Sequence, residues 1–388
     1  MPVTITKPQA TLRELLAGLK KRTGLFGEQV LRTENVADFY GIIGQNRNRI
    51  INGGIIINQR AFNASITDTG ALTYTADRWG AYGSVASKFS VQQTTGTGDG
   101  FSNSLLATSS SSYTVGASEI FKITQVIEGY NIADLSWGST TAKTVTLSFW
   151  VKCSLSGTFG GVIINSAFNR NYPFAYTISS ANTWEQKTIT IPGDTSGTWL
   201  ATNGIGMQLI WSLGTGSSSS GSAGAWGSGN IQSATGAASV VATSGATWQI
   251  TGVQLERGAV ATPFEHRSYG QELALCQRYC TVYGGNSVYE HLSLGAAYST
   301  SGMYGNIFRP IQMRTNPSVS YSGNWCVTDG ITNTAITSFG FGSSGAENSN
   351  KILTIVAATG GTSLTQFRPL QIMANNDITA RYIVSAEL

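Results

Sequence analysis

Side chains able to do covalent chemistry are few and scattered in this 388-residue chain. There are two histidines. His266 stands between Glu265 and Arg267, where a polar junction residue is a simpler reading than a general base. His291 lies among small and apolar residues in a strand-like stretch. Four cysteines, Cys153, Cys276, Cys280 and Cys326, do not form the framework that small secreted domains use. Cys276 and Cys280 are four apart on an expected helix, a spacing that could ligate a metal, but no histidine or second pair lies close by. Buried free thiols fit better. No HExxH, GxSxG or GxxxxGK[ST] occurs. Gly96-Thr97-Gly98-Asp99-Gly100 fails the GxGxxG pattern and reads as a turn, with a Ca²⁺ loop as the lesser alternative. A carboxylate pair for glycoside hydrolysis can come from distant strands, but 20 acids make a thin supply. The expectation is no enzyme, no cofactor and no metal site.

Non-covalent binding is better provided for. Sugars are held by planar aromatic faces with a few directed polar groups. The nine tryptophans are Trp79, Trp137, Trp150, Trp184, Trp199, Trp211, Trp226, Trp248 and Trp325. Most sit in strand-like contexts and are expected in cores. Trp226, alone in a Gly/Ser tract, and Trp150, on the polar face of its strand, are the candidate ligand-binding residues. Packing is the competing reading for both.

The elements that must position them are strands. Charged residues are 11% of the chain, and 46 residues are glycine. An average soluble domain has about 25% charge and about 7% glycine. Such a composition suits short strands and turns and argues against a coiled coil. Val145, Leu147, Phe149, Val151 and Cys153 alternate with polar residues, which predicts a half-buried strand with Cys153 on the core face. Thr188–Ile191 ends at Pro192-Gly193 as a strand followed by a turn. In Trp248–Leu255 the apolar register switches at Gly252, which predicts a bulge. From Thr195 to Leu255, 61 residues contain no Asp, Glu, Lys or Arg, and 214–247 hold eight glycines and nine serines. Strands flank this tract closely, so a long loop within one domain is expected, either solvent-facing toward neutral ligands or buried between subunits. Ser268 and Gln271 have capping-box-like spacing for a helix over Gln271–Thr281. Ile378, Ala380, Tyr382, Val384, Ala386 and Leu388 alternate to the last residue and predict a C-terminal strand. The echo of Phe308-Arg309-Pro310-Ile311-Gln312 in Phe367-Arg368-Pro369-Leu370-Gln371 suggests two equivalent strands, with proline at starts or edges.

The N-terminus differs. Residues 1–60 carry nine basic and four acidic side chains, whereas the rest carries 15 and 16. Residues 8–24 read as an amphipathic helix with Leu12, Leu15, Leu16 and Leu19 on one face and Lys20, Lys21 and Arg22 at its end. A second short helix fits Glu34–Ile43. Two such helices cannot form a core alone, so they must pack on something else. Docking to an acidic partner is the functional reading, beside a plain solvated face; nucleic acid is the least favoured partner. No 18-residue apolar run exists, which argues against membrane insertion, and no Sec-type leader is visible.

Several strings then carry a family resemblance. They are Asn48-Arg49-Ile50-Ile51-Asn52-Gly53 with Asn58-Gln59-Arg60, Tyr74-Thr75-Ala76-Asp77-Arg78-Trp79, Ser148-Phe149-Trp150-Val151-Lys152, and Trp184 to Gly193. Trp248 to Glu256 follows, and Ala261-Thr262-Pro263-Phe264-Glu265-His266-Arg267 through Tyr279 is the most specific. In order, over about residues 48–281, they resemble a module of bacteriophage tail-fibre and virion proteins. The resemblance implies a galactose-binding-like jelly roll similar to carbohydrate-binding modules. It departs at Gly54-Ile55-Ile56-Ile57 and in the long Ser/Gly insertion, so no binding residue is carried over. No collagen-like run, heptad shaft or 20–25-residue repeat is visible, which argues for a compact fibre and against a β-helical depolymerase.

The expected protein is mainly β: a helical virion-anchoring segment (1–47), a jelly-roll carbohydrate-binding-like domain (48–267), and a linking helix with a C-terminal β-sandwich domain (268–388). The anchoring residues would be Leu12, Leu15, Leu16, Leu19, Lys20, Lys21 and Arg22. The expected role is a short tail fibre on the virion, assembled in the bacterial host cytoplasm. It would be a homo-trimer that contacts other virion proteins and binds a host surface glycan. The alternative is a capsid or tail decoration or adaptor protein without a receptor role.

Overall fold

The computed structural model describes residues 47–61, 63–65, 72–95, 100–309, 311–341, 352–361 and 363–388. The expected helices of the first 46 residues, with Leu12, Leu15, Leu16, Leu19, Lys20, Lys21 and Arg22, lie outside the described residues, as does most of the Gly96–Gly100 turn. The first domain is a jelly-roll β-sandwich. Its strands are β1 (Asn63–Ser65), β2 (Thr73–Tyr74), β3 (Trp79–Gly83), β4 (Phe89–Thr95), β5 (Asn103–Ser109), β6 (Ile120–Glu128), β7 (Val145–Cys153), β8 (Gly157–Asn165), β9 (Arg170–Ile178), β10 (Glu185–Ile191), β11 (Ile205–Thr215), β12 (Ser220–Gly221), β13 (Gly227–Ser228), β14 (Ser233–Ala234) and β15 (Thr247–Arg257). A six-stranded front sheet runs β1-β4-β5-β15-β7-β10, and a seven-stranded back sheet runs β13-β9-β8-β11-β6-β3-β2. Period-two alternation turns Leu147, Phe149, Val151 and Cys153 of β7 inward, all fully buried. Across the core, Trp211 of β11 lies 5.5 Å from Trp79 and 5.7 Å from Phe149. The bulge expected in β15 is present: its pairing with β7 slips between Thr251 and Gln254, and Gly252 has φ +59°.

Within the charge-free stretch, the Gly/Ser tract connects β11 to β15 through β12, β13 and β14, and it folds back on its own domain. It covers the outer face of the back sheet. The Ala238 N–H donates to Thr158 O, and a Cβ on Gly160 would meet the Ser233 hydroxyl and the Ala237 methyl. Lys122 of β6 points into this cover and donates to Gln232 Oε1 at 2.9 Å. Burial pushes the Lys122 ammonium down to about 8.

Beyond the sandwich, α1 (Tyr269–Gln277) starts at Ser268, whose hydroxyl accepts the Gln271 N–H. It ends sooner than Thr281, and Cys280 belongs to a strand, so Cys276 and Cys280 do not share a helix face. The physical reason lies in the two residues after α1. Arg278 donates from Nε to Glu128 Oε2 at 2.8 Å, and the Tyr279 hydroxyl donates to the same oxygen at 2.6 Å. The chain then extends as β16 (Cys280–Gly284), followed by β17 (His291–Ser299), β18 (Gly302–Phe308), β19 (Ser318–Ser322), β20 (Trp325–Thr328), β21 (Asn333–Phe341), β22 (Ile352–Thr359), β23 (Pro369–Ala374) and β24 (Arg381–Ser385). The second β-domain has two layers. One is a three-stranded sheet, β16-β24-β19; the other closes into a barrel, β17-β18-β22-β21-β20-β23. Tyr382 of β24 packs on Phe339 of β21 at 5.1 Å and joins the layers. The sequence echo does not mark equivalent strands: Phe308 closes β18, whereas Pro369 opens β23.

The two domains meet at a buried charge. Arg78 is 1% exposed. Its guanidinium lies 3.6 Å over the Tyr279 ring, donates to Val126 O and pairs with Glu387. Burial works against the Arg78 charge, but Glu387 with the Tyr279 and Tyr74 phenols more than offsets it and raises its pKa. Arg60 pairs with Glu387 at 3.1 Å, and the Tyr74 hydroxyl donates to Leu388 O at 2.6 Å. Arg314 donates to Ala386 O and Glu387 O, both at 2.9 Å. The residues after the last strand are thereby fixed to the back sheet of the sandwich.

Two outcomes follow. Arg78→Ala leaves Glu387 buried beside Arg60 alone and lowers stability by about 3–5 kcal/mol. Arg60→Met and Arg78→Met with Glu387→Met, which removes the whole ionic triad, recovers most of that, read from urea midpoints; equal loss in both variants contradicts the account. Lys122 supplies a pH dependence. The unfolded chain holds its proton to about 10.5 and the folded chain only to about 8. Unfolding between those values takes up a proton, so this residue makes stability rise with pH across that window. Wild type should gain on the order of 2–3 kcal/mol relative to Lys122→Met between pH 7.5 and pH 10.5. Parallel pH profiles would show that Lys122 is solvated.

Candidate functional site

The segment before β1 builds one wall of the site, and uncharged side chains hold it there. Asn48 Nδ2 donates to Val253 O at 2.9 Å, and its Oδ1 accepts from the N–H groups of Ile50 and Leu255. Asn52, fully buried at φ +60°, donates to Ile57 O and Asp77 O and accepts the Ile57 N–H. Gln125 pairs with both backbone groups of Ile51 as a strand neighbour would. A Cβ on Gly53 would collide with Val253 O, so only glycine lets the segment lie this close to β15. Ile50 and Ile55 then point into the sandwich, while Ile51 and Ile57 pack on Cys276 and Tyr279. Most of the strings that carry the family resemblance are therefore structural joints.

A strap formed by residues 258–267 returns over the outer face of the front sheet. Thr146 and Thr190 donate hydroxyl hydrogen bonds to Gly258 O and Ala259 O. The Gln254 carboxamide, behind the bulge, donates to Thr262 O and accepts the Glu265 N–H. Arg267 closes the strap, donating to Ile50 O at 3.0 Å and to Asn48 O, and facing Glu265 and Glu272 at 3.4 Å each. The strap covers Thr146 and Gln254 and leaves the other half of the face open.

That open half is a sheet face with an aromatic side. Trp150, half-buried, projects outward from β7 between Gln186 of β10 and Thr251 of β15. Lys152, next on the same face, lies opposite Gln249 and 5.2 Å from the Trp184 ring. A Cβ on Gly252 would stand 2.5 Å from Phe101 and 3.0 Å from Trp150, so the bulge glycine is where the two rings converge. Phe101 stacks on exposed His266 at 5.6 Å and meets Phe264 edge-on at 4.9 Å. A pocket of about 190 Å³ opens beside these rings, bounded also by Gly54, Ser102 and Glu272. Flat apolar faces bordered by amides, hydroxyls, the Lys152 ammonium and the Arg267–Glu272 pair can hold a polyol by stacking and directed hydrogen bonds.

Trp226 does not belong to this surface. Its ring lies 5.1–5.6 Å from Tyr172, Trp137 and Trp199, and its Nε1 donates to Pro192 O at 2.8 Å. The Gly/Ser tract around it is the expected loop within one domain and is packed on the sandwich, so Trp226 is a clasp at the sandwich edge. The thiols have no site either: all four are buried, and burial pushes those of Cys276 and Cys280 well up. Phe101, Phe264 and Trp184, which border this face, were not among the candidates read from the sequence. The closing string that holds Phe264 and His266, read with the bulge signal at Gly252, was the clue that could have brought them together.

No family model and no curated protein matches the chain. Solved structures are similar in strand arrangement over about half of it. One is the enzymatically active domain of bacteriophage CBA120 tailspike protein 4, with 12% identity over 55% of this chain and a TM-score of 0.30. The likeness spans 22% of the tailspike chain. Another is a putative sugar binding protein from Bacteroides thetaiotaomicron VPI-5482, with 13% identity, 54% of this chain, 100% of that chain and a TM-score of 0.32. A family 11 carbohydrate-binding module from Clostridium thermocellum gives 11%, 53%, 99% and 0.25. No residue or activity is carried across from them.

Trp226→Ala should cost about 2–4 kcal/mol in a denaturant titration, as for a large aromatic in a packed cluster. A change under about 0.5 kcal/mol, the usual range for free surface positions, would put Trp226 on the surface.

Proposed function

We propose that this chain is a structural protein of a bacteriophage particle, a short tail fibre whose jelly roll holds a neutral host-surface glycan on the sheet face beside Trp150. The observation that carries the binding reading is the aromatic half of the front sheet. Trp150, Trp184, Phe101 and His266 present ring faces or edges beside Gln186, Gln249 and Lys152, on a sheet whose other half is already covered by the strap. Its one bordering ammonium, Lys152, is drawn to the Trp184 ring. Glycan affinity per site would be weak and would grow when several copies engage one surface. The phage assignment draws on the strings between residues 48 and 281, and residues 1–47 would then anchor the protein to the particle. On this reading no bond is broken: Glu265 and Glu272, the carboxylates nearest this face, serve the Asn48 and Asn52 N–H groups and Arg267.

The test is binding of the purified protein to intact candidate host cells and to a panel of their surface glycans. Wild type should bind saturably and be competed off by free glycan. Trp150→Ala should lose at least about ten-fold in affinity, on the order of 1.4 kcal/mol, with an unchanged melting curve. Binding that survives Trp150→Ala places the glycan elsewhere, and no binding by wild type favours the decoration or adaptor role.

A further inference from the structure

We infer that the small pocket beside Phe101 receives the acetamido group of an N-acetylated sugar, so that the ligand of this face is an N-acetylhexosamine glycan. The inference rests on the sugar-binding reading of the front sheet and adds the ligand's side group. The pocket holds about 190 Å³. Pockets that enclose a whole small molecule run to about 300–1,000 Å³, so this one takes a substituent while the sugar ring stays on the open face. Its apolar side is Gly54, Ile56, Phe101 and Phe264, and its polar side is Ser102 with the Arg267–Glu272 pair. Gly54 and Ile56 belong to the string in which the chain departs from the family it resembles. A Cβ on Gly54 would stand 3.7 Å from the Phe101 ring and 3.9 Å from that of Phe264, in ordinary contact, so the missing methyl is part of the space.

One donor of this pocket's lining has no acceptor. The Arg267 side chain is only 5% exposed. Its Nη atoms donate to Ile50 O and Asn48 O and face Glu265 and Glu272, but its Nε–H is buried without an acceptor among the described residues. Such a donor carries its desolvation cost until an acceptor arrives. The acceptor that fits is neutral. Two carboxylates already face the single guanidinium, so a ligand carboxylate or phosphate would meet net negative charge. A hydroxymethyl group offers no apolar end to Ile56 and the two phenyl rings, and a plain methyl offers no acceptor. An acetamido group has both, a carbonyl oxygen for the Arg267 Nε–H and a methyl for the apolar side.

The experiment measures binding of the purified full chain to protein conjugates bearing glucose, galactose or mannose and to conjugates of their 2-acetamido counterparts. In at least one pair the acetamido sugar should bind at least about ten-fold more tightly, as where a hydrogen bond and a methyl contact are gained together. The N-butanoyl analogue of that sugar, whose longer chain overfills the pocket, should lose the gain. Gly54→Ala, which narrows the pocket, should keep the wild-type melting curve and cut the preference at least about five-fold. Equal or better binding of the parent hexose in every pair overturns the inference and leaves the sugar-binding face standing. A preference that survives both Gly54→Ala and the N-butanoyl extension also overturns it, because the acetyl group then lies outside the pocket. So does a wild type that binds host cells but none of the acetamido conjugates, whereas a chain that binds no sugar of any kind loses the sugar-binding face as well.

Discussion

The burial of the Arg78 charge is the constraint on which the rest of the structure depends. A guanidinium removed from water is tolerated only if a carboxylate and further acceptors come with it. Here they come from opposite ends of the described chain: Val126 from the back sheet, the Tyr279 ring from the residues after α1, and Glu387 from just beyond the last strand. Satisfying one side chain therefore fixes where α1 must end, where β24 must lie and how the barrel domain sits on the sandwich. Glu128 repeats the logic a short distance away, taking Arg278 and Tyr279 together.

Several other joints are closed by neutral amides. Asn48, Asn52, Gln125 and Gln254 are nearly or fully buried and bind backbone groups as a strand or turn would. Neutral amides carry a far smaller desolvation cost than ions, so they can be placed deep in the joints between segments. The same economy of charge leaves mostly rings, amides and hydroxyls on the open half of the front sheet.

Much of the sandwich was legible in the sequence because alternation reports burial directly. The bounds of β7, the inward Cys153, the bulge at Gly252 and the alternating C-terminal strand all follow from it. What alternation does not encode is how a sheet ends. It gives the same pattern for an open layer and for a closed barrel, so the closure of β17 to β23 was not visible. The end of α1 was misplaced because helical spacing continues through Arg278 and Tyr279, and only their partner Glu128, 150 residues away, pulls them out of the helix. Trp226 drew attention because glycine and serine around it suggest an exposed loop; three aromatic neighbours from β9 and two loops decide otherwise. The binding face was half legible. Trp150 could be placed on a polar face, but the stacking of His266 on nearby Phe101 depends on the strap, whose path is set by long-range hydrogen bonds.

The central claim is that the front sheet of the jelly roll is a sugar-binding face, and the nine tryptophan indoles report on it without a substitution. The measurement is a ¹⁵N-indole NMR titration of the full chain with glycans from candidate host surfaces. The account expects the Trp150 and Trp184 signals to move saturably while those of buried Trp79, Trp211 and Trp248, clasped Trp226 and barrel-domain Trp325 stay in place. Saturable binding that shifts Trp325 or Trp226 and leaves Trp150 untouched would contradict it.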